Sequence, residues 1–124
     1  MSRRKADMTK DDFIKAEAKR LRAVFGNLPQ DAAAVAEKLI ENAAFMAVSL
    51  RELQEAINKK GYVEEYQNGA NQSGVKKSSE VEVYNTMIKN FNVTMKQLID
   101  LLPDSAGAGK SNPVLDYITR RGAN

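Results

Sequence analysis

Lys15, Lys19 and Arg22 stand at i, i+4 and i+7, a spacing that puts three side chains on one face of a helix. Lys10 and Arg20 lie close by, and Arg3, Arg4 and Lys5 cluster ahead of them. A basic stripe of this kind can neutralise several phosphates, which suits salt-sensitive, weakly sequence-selective binding of DNA. It suits a solvated helix face behind a loose tail equally well, and nothing in the pattern identifies a recognition helix. Residues 1–28 hold eight Lys or Arg against four acids, and the remaining residues sum to −1. The net charge of +3 therefore belongs to the N-terminal segment.

Other chemistry is largely closed. The chain has no cysteine and no histidine, which removes disulfides, thiolate or imidazole metal sites, and Ser-His-Asp or Cys-His catalysis. Glu64 and Glu65 are adjacent carboxylates, but neighbours on a strand point apart, and no second acidic pair accompanies them to hold a metal. The run AGAGKS at 106–111 resembles a phosphate loop only in part: that motif requires glycine where Asp104 stands, a strand before it and a helix after it. Here Pro113 follows at once, and the run reads as a linker. No catalytic residue, metal or cofactor is expected. Tyr62 and Tyr66 could stack on a base or pack against the end of a helix. Lys76-Lys77 could meet a phosphate or merely water.

These residues need elements to hold them. Thr9 with Asp12 forms a capping-box pattern, and Ile14, Ala18, Leu21 and Phe25 follow as one apolar stripe, predicting a short helix over about 9–25 that stops at Gly26-Asn27. Pro29 suits a first helical turn, and no breaker intervenes before Gly61. Within that stretch Ala36, Leu39, Ala43, Met46, Leu50, Leu53 and Ile57 repeat at 3, 4, 3, 4, 3, 4, a heptad seam. Ser49 with Glu52 could cap a separate helix, but the seam keeps phase through Ser49, which favours one helix over about 29–60. A second seam, Val81, Tyr84, Ile88, Phe91, Met95, Leu98 and Leu102, has the same spacing, with Ser79 and Glu82 as a capping box and Pro103 as the stop. Its helix is expected over about 79–102.

Two successive seamed helices make an antiparallel hairpin. The fold class is all-α: a short basic N-terminal segment (1–28), a long hairpin (29–102) and a flexible tail (103–124). The hairpin's polar tip spans 61–78, where Asn68-Gly69 could turn a small β-hairpin or flap. Its first helix is apolar beyond the seam, through Ala33, Val35, Ile40, Ala44, Phe45, Ala47 and Val48. A helix apolar on more than one stripe is buried on more than one side. The N-terminal helix is short, so another copy of the chain is the simplest cover, and a compact monomeric three-helix bundle is the alternative. No run approaches the roughly 18 apolar residues of a membrane span. The opening MSRRKADMTK lacks the apolar segment of a secretory signal, so a soluble intracellular protein is expected.

Residues 41–103 also carry a resemblance. Phe45-Met46, Leu50 and Leu53 are followed by Tyr66-Gln67-Asn68-Gly69, Gln72-Ser73-Gly74, Tyr84 and the closing Leu98 to Pro103. This order, across about half the chain, resembles the small terminase subunits of tailed bacteriophages, in the P27-like group. The resemblance implies a non-catalytic subunit of a genome-packaging motor in the cytoplasm of the host cell. Such a subunit forms a ring, here expected to hold eight or more copies, binds double-stranded phage DNA, and delivers it to a large subunit with ATPase and nuclease activities. It also implies a contact with that large subunit through the C-terminal tail, for which Val114, Leu115, Tyr117, Ile118, Arg120 and Arg121 are the candidates. A dimeric helical DNA-binding regulator and a protein-only coiled-coil adaptor are the rival readings.

Overall fold

A computed structural model describes residues 7–67, 69 and 72–103. The first helix, α1, spans Lys10–Val24. Thr9 starts it as the sequence predicts: its hydroxyl accepts from the Asp12 amide at 3.2 Å, and the Asp12 carboxylate accepts from the Thr9 amide at 3.0 Å. Two of the helix's otherwise unpaired N-terminal groups are thereby satisfied. The apolar stripe faces inward. Ala18, Leu21 and Phe25 are buried, and Ile14 packs against them.

The second helix, α2, runs unbroken over Gln30–Lys60, about 46 Å at 1.5 Å per residue. Ser49 does not start a new helix; it is buried, and its hydroxyl has no hydrogen-bond partner. The continuity of the seam outweighs its capping tendency. At the far end Gly61 closes the helix with φ +89° and ψ −175°, its N–H donating to the Ile57 carbonyl at 2.7 Å.

The tip folds as an antiparallel ribbon, β1 over Val63–Gln67 and β2 over Ser73–Lys77. In its register Val63 faces Lys77, Glu65 faces Val75, and Tyr66 faces Gly74. The last pair explains the glycine: a Cβ at position 74 would lie 2.9 Å from the Tyr66 ring. The glycine lets the aromatic ring lie across the neighbouring strand.

The third helix, α3, spans Ser79–Asp100. Its cap differs from the expected one. Ser78, not Ser79, is the N-cap: its hydroxyl accepts from the Val81 amide at 3.2 Å. The Ser78 amide donates to the Tyr62 carbonyl at 2.9 Å, which holds Ser78 extended and leaves the next residue as the first helical one. Ser79 instead donates to the Glu64 carboxylate at 3.2 Å. At the other end the turn tightens, with Leu101 and Leu102 amides donating to the Leu98 and Ile99 carbonyls before Pro103.

Packing follows from two seams on α2. Toward α3, every residue of both predicted heptad series is buried or half-buried. Lys60 meets Glu80 at 3.3 Å, and Leu98 shares a cluster with Ala36, Ile40 and Ala43, so α3 runs antiparallel to α2. Toward α1, Arg22 meets Glu37 and Lys10 meets Glu52, so α1 is antiparallel too and lies along the first half of α2. Ile40, Ala44 and Val48 share the α2 face of those two glutamates, at steps of three or four residues. Ile40 and Ala44 are buried. The short helix thus covers more of α2 than its length suggested, because alanines let the two backbones approach. It does not cover everything. Val35 is 54% exposed and Phe45 49%, so Phe45 lies outside the core of a single chain. Among the described residues no helix is long and apolar enough to cross a membrane.

Candidate nucleic-acid interface

All five described cations of the expected DNA-binding set lie on α1, and they do not share one face. At about 100° per residue, Lys15, Lys19 and Arg22 fall within a narrow arc, while Lys10 and Arg20 lie roughly 140° to either side of Lys15. The stripe is therefore three residues wide. Lys10 turns toward α2, where its ammonium sits 3.0 Å from the Glu52 carboxylate and 4.8 Å from the centre of the Phe45 ring. Arg20 turns to Glu17, a largely buried glutamate, at 3.0 Å. Arg3, Arg4 and Lys5 lie outside the described residues, as do the tail candidates Val114, Leu115, Tyr117, Ile118, Arg120 and Arg121.

Carboxylates accompany the stripe. Lys15 pairs with Asp11 at 3.1 Å. Arg22 grips Glu37 with two nitrogens, Nε at 3.0 and 3.1 Å from the two carboxylate oxygens and a terminal nitrogen at 2.7 Å. Lys19 is exposed and has no ion-pair partner among the described residues. Glu37 and Glu52 were invisible as counter-ions in the sequence, since they are 15 and 42 positions from their partners; only the docking of α1 on α2 reveals them. The pairs lower the local positive potential without locking the cations away, because an exposed ion pair is worth about 0–1 kcal/mol. A phosphate can displace such a carboxylate.

The Arg22 hydrogen bonds hold the Glu37 carboxyl below the usual glutamate range, against a smaller opposing effect of desolvation. The bond to Glu37 raises the Arg22 guanidinium in turn. A lowered carboxyl contributes stability that is present above its unfolded-state pKa and lost as pH falls through the folded value. In a carbon-detected NMR titration, Glu37 is expected to protonate below the ordinary glutamates, and Arg22→Gln should return it to their range.

The adjacent carboxylates at the tip separate as neighbours on a strand do. Glu64 accepts from Ser79 and pairs with Lys76 at 3.4 Å, while Glu65 is on the opposite face. Among the described residues no group of three or more acidic or other ligating side chains could hold a metal ion. Tyr62 is 74% exposed beside the ribbon. No family model, curated protein or solved structure matches the chain.

Proposed function

We propose that this chain is the small, non-catalytic subunit of a phage DNA-packaging terminase, which assembles as a ring of eight or more copies, binds viral DNA and hands it to the large ATPase/nuclease subunit. The observation that supports this most is the pairing of two long helices, α2 and α3, linked through a two-stranded ribbon, with apolar side chains left on the outside. Val35 and Phe45 on α2 and Val83 and Val93 on α3 are each about half exposed, and Met46, Val83 and Met87 line an open groove between the two helices. Surfaces of this kind on a small chain suit contact with other copies, and heterologous contacts close into rings. Repetition of the α1 stripe around a ring would supply avidity that one stripe lacks. The host cell's cytoplasm is the compartment this role requires.

The ion pairs along α1 favour one rival, the protein-only adaptor, since they weaken the basic field. A DNA titration decides between them. Full-length protein is expected to bind double-stranded DNA at low salt and to weaken steeply as salt rises, because bound phosphates release counter-ions. The double substitution Lys15→Glu and Lys19→Glu should weaken binding by about tenfold or more and flatten the salt dependence. Absence of binding even at low salt would leave the adaptor.

A further inference from the structure

The ribbon at the hairpin tip is charged asymmetrically. β1 carries Glu64 and Glu65 and no base; β2 carries Lys76 and Lys77 and no acid. One acid and one base are consumed within the ribbon, where Glu64 pairs with Lys76. Glu65 and Lys77 have no ion-pair partner among the described residues. The register puts both on the same face, together with Val63 and Val75, which are 57% and 63% exposed. The sheet has only two strands, so each strand keeps one edge of backbone N–H and C=O groups without a strand beside it among the described residues. A lone two-stranded ribbon wetted on both faces is marginal in water, and an open edge is a template for another strand.

We infer that the ribbon is an interface between copies of this chain, in which the β1 edge of one copy pairs antiparallel with the β2 edge of the next. The occupant is a second copy because the two edges complement each other and not themselves. β1 beside β1 would set acid against acid, and β2 beside β2 would set base against base. β1 beside β2 repeats the register already inside the ribbon: Glu65 of one copy lies opposite Val75 of the next and diagonal to its Lys77, and Val63 lies opposite that Lys77. Such a contact is head-to-tail, the kind that closes a ring rather than a dimer. Both strands are anchored at their base, by Ser78 to Tyr62 and Ser79 to Glu64, so the edges are presented from a fixed platform at one end of the helical hairpin. This inference rests on the ring reading and adds the surface that closes it.

The test compares full-length wild type with Glu65→Lys, Lys77→Glu and the double reversal, by light scattering over a range of protein concentrations. Circular dichroism checks that the helices are intact. Each single reversal is expected to raise the concentration needed for assembly by tenfold or more, and the double reversal to restore it. If wild type assembles and both single variants assemble equally well, the ribbon contact is overturned while the ring stands on its helix faces. If wild type stays a monomer, both fail together. A second measurement does not depend on charge. The chain lacks cysteine, so Gln67→Cys and Ser73→Cys chains, substituted at positions that the register sets opposite one another, can be mixed and oxidised. Disulfide-linked pairs are expected in the mixture and not in either variant alone. Cross-linking of Gln67→Cys with itself would show like edges meeting and would overturn the inference.

Discussion

Leu98→Ala is expected to remove about 3 kcal/mol of unfolding free energy, the middle of the range for a buried leucine truncated to alanine. Leu98 has no exposed surface, and it is the one fully enclosed apolar side chain that α3 supplies. It reaches the cluster formed by Leu21 and Phe25 from the α1 end and by Ala36, Ile40 and Ala43 from α2. The cluster includes four alanines, Ala18, Ala36, Ala43 and Ala44, which have no side chain able to swing into the space left behind. Phe91, Met95, Leu101 and Leu102 pack around the cluster but remain partly exposed, so they cannot replace the lost contact. Small domains are stable by only about 5–15 kcal/mol, and a loss of this size is a substantial fraction. The urea midpoint, measured at fixed protein concentration because self-association would add to apparent stability, should fall clearly. Lys89→Ala, at an exposed residue of α3 outside the apolar surface proposed to meet other copies, should change stability by no more than about 0.5 kcal/mol. Similar effects at the two positions would mean that α3 does not dock through Leu98.

Gly61→Ala is expected to cost about 2 kcal/mol, by a different route. The backbone there has φ +89° and ψ −175°, a region that residues with a side chain rarely adopt. A Cβ placed at Gly61 would touch nothing within 4 Å, so the penalty lies in the backbone itself and not in crowding. This conformation turns the chain out of α2 and into the ribbon. The amide of Ser78, which donates to the Tyr62 carbonyl next to the turn, should lose protection in hydrogen exchange together with the loss in stability. A neutral substitution would indicate that the chain leaves α2 by another path.

Much of this architecture was legible because the two seams are long. Fourteen apolar residues at strict 3, 4 spacing leave little choice of face, and each of them is buried or half-buried as the spacing predicts. Thr9 and Asp12 are local, within one helical turn, so their mutual bonds could be read directly. What could not be read depends on how elements meet. Ser78 and Ser79 are chemically equivalent capping residues, and the Ser78 amide bond to Tyr62 chooses between them. Arg22 and Lys10 looked like free cations because Glu37 and Glu52 reach them only when α1 lies along α2. The same docking buries Ile40 and Ala44, which reduces the apolar surface that pointed to other copies; Val35 and Phe45 carry what remains on α2. The ribbon was one of two readings of the Asn68-Gly69 turn, and its split of acids and bases between strands has meaning only once the register is known.

Self-association is the physical step on which the packaging role depends, and native mass spectrometry of the full-length chain tests it most directly. One discrete species of eight or more copies is the expected spectrum. A chain that remains monomeric, or stops at a dimer, at concentrations where it is folded would contradict the packaging role.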